Sequence, residues 1–142
     1  MENIHVGKII KQISIGIEKS TNNLLRSKDI TATQGVVLLR LKQNKDGMLA
    51  IKELEKCFAT AQSTMYGVIS RLENKGFITT SLDNKKNKVA QITEEGITLC
   101  EYIEKCIEES EREMFSCLTK TEYSILLELM LKIQSSSIPC GL

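Results

Sequence analysis

Histidine is almost missing from this 142-residue chain, where His5 stands alone. With one imidazole, general acid–base chemistry near neutral pH has little to work with. No Ser/His/Asp set, glycine-rich phosphate loop or paired-carboxylate site can be read from the sequence, so the expectation is a protein that is not an enzyme and holds no cofactor. The cysteines Cys57, Cys100, Cys106, Cys117 and Cys140 are odd in number and form no C-x-x-C. Beside a single histidine they argue against a zinc site. Proline occurs once, at Pro139, so nothing within the body of the chain forbids long helices. No run approaches the ~18 apolar residues of a membrane span. No apolar stretch with a small-residue cleavage site opens the chain either. These absences predict a cytoplasmic protein with reduced cysteines and no membrane partner.

What is present is ordinary for a globular chain: 42% hydrophobic and 26% charged residues. The length suits one domain, 1–142, with its own core. The net charge is only +1, but its distribution is uneven. Residues 31–96 carry ten Lys or Arg against seven Asp or Glu, and residues 97–142 carry four against eight. A mildly basic middle suits a phosphate-facing surface, although scattered solvated charges would give a difference of the same size.

Apolar spacing predicts a first helix over 3–26, from Val6, Ile9, Ile10, Ile13, Ile17, Leu24 and Leu25. Ile13, Ile15 and Ile17 alternate like a strand, but the longer helical pattern prevails. Apolar residues on two faces of this helix predict cover from a second subunit. Thr31 is placed to cap a second helix that ends near Asn44. A short helix follows over 51–58, and a further one runs from Gln62 to Lys75, stopped by Gly76. β-Prone residues 77–80 and 89–92 flank the polar turn Asp83-Asn84-Lys85-Lys86-Asn87, predicting a hairpin with a basic tip. Thr93-Glu94-Glu95 opens a long helix with Leu99, Ile103, Cys106, Ile107 and Met114 on its stripe. A last helix over 119–134 precedes a tail expected to fray from Ser135. The predicted fold is mainly α (α+β): six helices with a small β-hairpin wing.

Two short amphipathic helices joined by a tight turn, within LEKCFATAQSTMYGVISRLENKG, make a helix-turn-helix. Met65, Val68, Ile69 and Leu72 fall on the inner face of the second helix. Gln62, Ser63, Tyr66, Gly67 and Ser70 are left outside, where amide and hydroxyl groups can meet base edges in a major groove. Arg71 and Lys75 lie toward the helix end, within reach of phosphate. The hairpin turns the motif into a winged helix, with Lys85, Lys86 and Lys88 set to lie along a DNA backbone.

The segments ITATQGVVLLRL, ATAQSTMYGVISRLENKGFI and KVAQITEEG, in this order and spacing, resemble the multiple-antibiotic-resistance regulator (MarR) family over roughly residues 30–96. The resemblance implies a homodimer whose helices at 3–30 and 94–137 intertwine, with a winged helix-turn-helix over 31–93. It implies base or phosphate contacts by Gln62, Ser63, Thr64 and Tyr66, and it matches Arg71 to the arginine of the family's RLE signature. It also implies repression at a pseudo-palindromic double-stranded operator, relieved by a small aromatic ligand bound between dimer helices and winged helix. The wing departs from the family's Asp-x-Arg: Asn84-Lys85-Lys86 stands there, with Asp83 one residue earlier. Lysine keeps the charge but loses the planar fork of arginine, so phosphate binding survives the change better than base reading.

Two alternatives share this fold. One is a cysteine-based redox sensor, for which Cys117, near Lys120, is the best-placed thiol. The other is a winged helix that binds protein and never meets DNA.

Overall fold

Local chemistry sets most helix boundaries. The computed structural model describes residues 3–137, and Pro139 and Cys140 lie outside the described residues. Helix α1 (Val6–Leu25) leads through a 3-10 turn (Arg26–Lys28) to α2 (Ala32–Gln43), strand β1 (Met48–Ala50) and helix α3 (Ile51–Phe58). Then come α4 (Gln62–Asn74), β2 (Ile78–Leu82), β3 (Lys88–Ile92), α5 (Glu94–Met114) and α6 (Lys120–Ser137). Thr31 opens α2 with a capping box: its Oγ1 accepts from the Gln34 N–H at 3.2 Å, and Gln34 Oε1 accepts from the Thr31 N–H at 3.1 Å. Thr119 and Glu122 repeat this exchange before α6, and the Thr119 N–H holds the Glu122 carboxyl below its ordinary value.

The six helices and the wing stand where the sequence puts them. The strand-like alternation around Ile15 is overridden, and α1 is helical throughout. Two details differ from expectation. A third strand, β1, joins the hairpin in the order β1-β3-β2, pairing Met48 with Gln91 and Ala50 with Val89. Three residues are too few to display a period, so this strand exists through its partner rather than its own pattern. Helix α6 also continues through Ser137, beyond the fraying expected from Ser135.

The core gathers the inner face of α4 (Met65, Val68, Ile69, Leu72) against Val37, Leu38 and Leu41 of α2 and Ile51 and Leu54 of α3. Leu99, Cys100, Ile103 and Cys106 of α5 complete it. Helix α1 lies on α5, with Gly16 facing the flexible end of Met114: a Cβ there would stand 2.6 Å from Met114 Cε, which can swing aside. Yet α1 buries only Thr21 and Leu25, and α6 buries no residue. Exposed instead are Ile10, Leu129, Leu131 and Ile133, at 52–60% for the last three and 55% for Ile10.

The wing is fastened to α5 by one crowded junction. Thr93 Oγ1 accepts from the Gly96 N–H at 3.1 Å and donates to the Gly76 carbonyl at 2.7 Å, while the Thr93 N–H donates to the Phe77 carbonyl at 3.0 Å. A Cβ on Gly96 would overlap that Phe77 oxygen and stand 2.7 Å from Ile92 Cγ1. Backbone cannot yield as a flexible side chain does. Gly96→Ala is therefore expected to destabilise the protein by about 1–3 kcal/mol. Urea unfolding at fixed protein concentration measures this, and an unchanged midpoint would refute it.

Candidate nucleic-acid interface

Helix α4 begins without a side-chain cap, because Ala61 at its N-cap has no acceptor to offer the first-turn N–H groups. Gln62, Ser63, Thr64, Ser70 and Arg71 are exposed, and Tyr66 and Gly67 half-exposed, while Met65, Val68, Ile69 and Leu72 are buried. The helix thus presents an amide and three hydroxyls at its N-terminal end and middle. Donors and acceptors of this size suit base edges. The turn before it runs through Ala59 at φ 49°, a left-handed conformation that bends the chain sharply from α3 into α4.

The wing tip is held by one carboxylate. Asp83 Oδ1 accepts from the N–H groups of Lys85 and Asn87, each at 2.8 Å. The Asp83 carbonyl accepts from Lys86 at 3.0 Å, and Lys86 takes φ 63°. The Asn87 N–H, foremost, holds the Asp83 carboxyl below its ordinary value. Sequence reasoning left Asp83 without a role. A carboxylate accepting from N–H groups two or more residues on is the signature of an Asx turn, and that was the available signal. Lys85, Lys86 and Lys88 are exposed, and no ion pair joins them among the described residues.

Wing and helix meet. The Lys88 ammonium stands 5.3 Å from the centre of the Tyr66 ring, so two residues read separately as DNA contacts touch each other. At the other end of α4, Glu73 Oε2 accepts from both the Thr80 N–H, at 3.1 Å, and the Thr80 hydroxyl, at 2.6 Å. No sequence signal marks this pair, which depends on how strand and helix pack.

Lys75 turns away from the wing. Its ammonium donates to the Asp29 carbonyl and lies 3.8 Å from the Asp29 carboxylate. Beside it, Asn22, Arg26, Thr31, Gln34 and Arg71 help line an open cleft of about 400 Å³ between the end of α1, the start of α2 and the end of α4. Arg71 therefore borders both the outer face of α4 and this cleft.

A polar helix beside a lysine-bearing wing, on a core of four packed helices, defines a winged helix-turn-helix fold. No family model matches the chain. Sequence comparison finds the multiple antibiotic resistance protein MarR of Salmonella typhimurium, 27% identical over 135 residues, covering 93% of this chain and 92% of that protein. Two solved structures share the fold. The S. aureus MepR–DNA complex has a TM-score of 0.78, 24% identity and coverage of 94% and 99% of the two chains. Bordetella bronchiseptica BpsR, whose DNA binding is regulated by 6-hydroxynicotinic acid, has a TM-score of 0.77, 22% identity and coverage of 96% and 100%. The chain is thus similar in sequence to MarR of Salmonella typhimurium and shares its fold with MepR and BpsR.

The thiols divide by burial. Cys117 is exposed at the elbow between α5 and α6, Cys57 is half-buried, and Cys100 and Cys106 are buried. Burial, foremost, pushes the Cys100 thiol up to about 11. Its neutral form is therefore favoured by folding. That contribution is fully present below the ordinary thiol value of 9.0 and is lost as pH rises through about 11. At pH 8 a thiol reagent is expected to label Cys117 in the native protein and to reach Cys100 and Cys106 only after denaturant is added. Peptide mapping of the label checks this. Native labelling of Cys100 at the rate of Cys117 would contradict the burial.

Proposed function

We propose that this chain acts as a homodimeric repressor that reads a pseudo-palindromic duplex through two copies of α4 and grips the flanking backbone with its wings. The observation that carries the reading is the Lys88–Tyr66 contact, which joins the polar face of α4 and the lysines of the wing into one surface. Gln62, Ser63, Thr64, Tyr66 and Ser70 are assigned to the major groove, and Lys85, Lys86 and Lys88 to phosphates. Arg71 is assigned to phosphate at the rim of that groove. The MepR–DNA complex supports a DNA-bound form for this architecture.

The dimer is assigned to the helices at 3–30 and 94–137, with 31–93 as the DNA-binding part. The support is their unpartnered apolar surface. On α6, Tyr123, Ile125, Leu127, Leu129, Met130, Leu131 and Ile133 are all exposed. At about 100° per residue they occupy well over half of the circumference, as on a helix inserted between others rather than laid on a surface. Sedimentation is expected to give a dimer at micromolar concentration, and a stable folded monomer there would sink the assignment.

Release from DNA is assigned to a small aromatic molecule in the cleft beside Arg26, Arg71 and Lys75. The three cations suit an anionic ring compound, and the regulation of BpsR by 6-hydroxynicotinic acid supports that chemistry. An occupant would compete with Asp29 for Lys75 and so press on the C-terminal end of α4.

Reading and gripping separate experimentally. Lys85→Ala with Lys86→Ala is expected to weaken binding about equally on selected and random duplexes. The slope of log affinity against log salt should flatten by roughly 0.9 for each phosphate that is no longer neutralised, four in a dimer if both lysines of each wing touch phosphate. Gln62→Ala or Ser63→Ala is expected to cost about 1–3 kcal/mol of discrimination for each base edge left unread, and to leave that slope nearly unchanged. Loss of discrimination with an intact salt slope in the lysine variant would instead make the wing a base reader.

A further inference from the structure

A wing can place its lysines on phosphate only if its angle to α4 is fixed, and strand β2 is poorly placed to fix it. It is one of the two edge strands, with a sheet neighbour on one side only. Of its five residues only Ile78, at the start, is buried. From Thr80 the strand runs two more residues before the tip begins at Asp83, about 10 Å away at ~3.3 Å per residue. Such a strand is a lever. A swing of about 20° at Thr80, the size of ordinary strand-to-strand twist, would carry the tip roughly 3–4 Å, more than a hydrogen bond tolerates.

Glu73 stops that lever at its fulcrum. It stands in the last turn of α4 and accepts from both the main chain and the hydroxyl of Thr80, so one carboxylate holds the strand at two atoms. The paired strand β3 is held to the same helix by Lys88 over Tyr66. Thr80 pairs with Ala90, and Leu82 pairs with Lys88, so the two fastenings lie across the hairpin from each other, two residues apart in register.

We propose that Glu73 is a positioning residue for DNA binding: its carboxylate fastens β2 to α4 and thereby sets where Lys85 and Lys86 fall relative to the polar face of the helix. The inference rests on the reading of those lysines as phosphate contacts. It makes a prediction opposite in sign to simple electrostatics. Glu73 is exposed and negative, so if it were only a surface charge near DNA, removing it would tighten binding and steepen the salt slope.

The test measures affinity for a short mixed-sequence duplex across a salt series. Glu73→Ala is expected to weaken binding and to flatten the slope toward that of the Lys85→Ala/Lys86→Ala protein, by roughly 0.9 for each phosphate the wing no longer reaches. Glu73→Gln is equally neutral but keeps an oxygen for Thr80, and is expected to bind at least as tightly as the parent. Thr80→Val removes the hydroxyl and leaves every charge in place, and is expected to fall between parent and Glu73→Ala. In the Lys85→Ala/Lys86→Ala background, Glu73→Ala should weaken binding no further, because it acts through the lysines. Equal behaviour of Glu73→Ala and Glu73→Gln would overturn the inference, as would a full Glu73→Ala effect in the lysine-free background. A salt slope untouched by Lys85→Ala/Lys86→Ala would overturn the phosphate reading itself and the inference with it.

Discussion

The roll of α4 about its own axis decides which side chains this protein presents outward, and four inward side chains set that roll. Met65, Val68, Ile69 and Leu72 are each 6% exposed or less. Full burial of side chains of this size is worth about 1.5–3 kcal/mol apiece. Turning the helix by one residue would bring Tyr66, Ser70 and Glu73 toward the core and Met65, Val68 and Leu72 toward water. That imbalance exceeds the ~1–3 kcal/mol of any single base contact. The outward set of Gln62, Ser63, Tyr66 and Ser70 is therefore a by-product of packing, settled before DNA arrives. The same core holds α2 and α5, and Gly35 admits the contact between them: a Cβ there would stand 3.0 Å from Ile103 Cγ2.

The two ends of the chain follow the opposite logic. Around α4 each apolar stripe has a local partner, whereas α1 and α6 display theirs to solvent. Local capping opens α6 through the Thr119–Glu122 box, whereas α1 begins at His5 without a side-chain cap. What they await is cover. A chain whose middle folds on itself while its ends stay uncovered would, in the proposed dimer, place folding and association in different segments. Charge follows the same division, since the mildly basic middle contrasts with an acidic C-terminal part in which Glu101 is paired with Lys105 one turn on.

Features governed by local rules were legible in the sequence. Thr31 and Thr93 as caps, Gly76 with φ 81°, and the buried stripe of α4 follow from spacing and side-chain chemistry within a few residues. Strand-like alternation at Ile13–Ile17 did not displace the helical reading, because a 20-residue helix outweighs five residues. Features that join distant segments were not legible. β1 has three residues and owes its existence to β3. The Lys88–Tyr66 and Lys75–Asp29 contacts bridge 22 and 46 positions, and Tyr102, whose hydroxyl donates to the Leu24 carbonyl at 3.1 Å, bridges 78. No periodicity encodes such pairs, which arise only after the elements have been placed. The candidate surface was therefore readable as a set of residues, but not as an arrangement.

That arrangement bears on where specificity resides. In this wing Asp83 spends its acceptor capacity on backbone N–H groups, so the order of the tip needs no ion pair with a cation beside it. Lysines stand where the family's pattern has an arginine, and an ammonium offers no bidentate fork to a base edge or to a carboxylate. Elsewhere in the same lobe cations are engaged: Lys75 by Asp29, and Lys88 by the Tyr66 ring. Lys85 and Lys86 keep their charge for an external partner, and phosphate asks only for charge. If the wing meets DNA as proposed, one built this way adds affinity that is indifferent to sequence. On the proposed reading, discrimination then falls to the outer face of α4, where Gln62, Ser63, Thr64, Tyr66 and Ser70 span little more than two turns. At ~1–3 kcal/mol per good contact, one such face falls short of the ~4–10 kcal/mol that separates specific from random sites, unless several contacts form at once. Two faces related by a two-fold axis double the count on a single duplex. On the proposed reading, the apolar surplus of α1 and α6 and the modest reading surface of α4 are both met by a second copy of the chain.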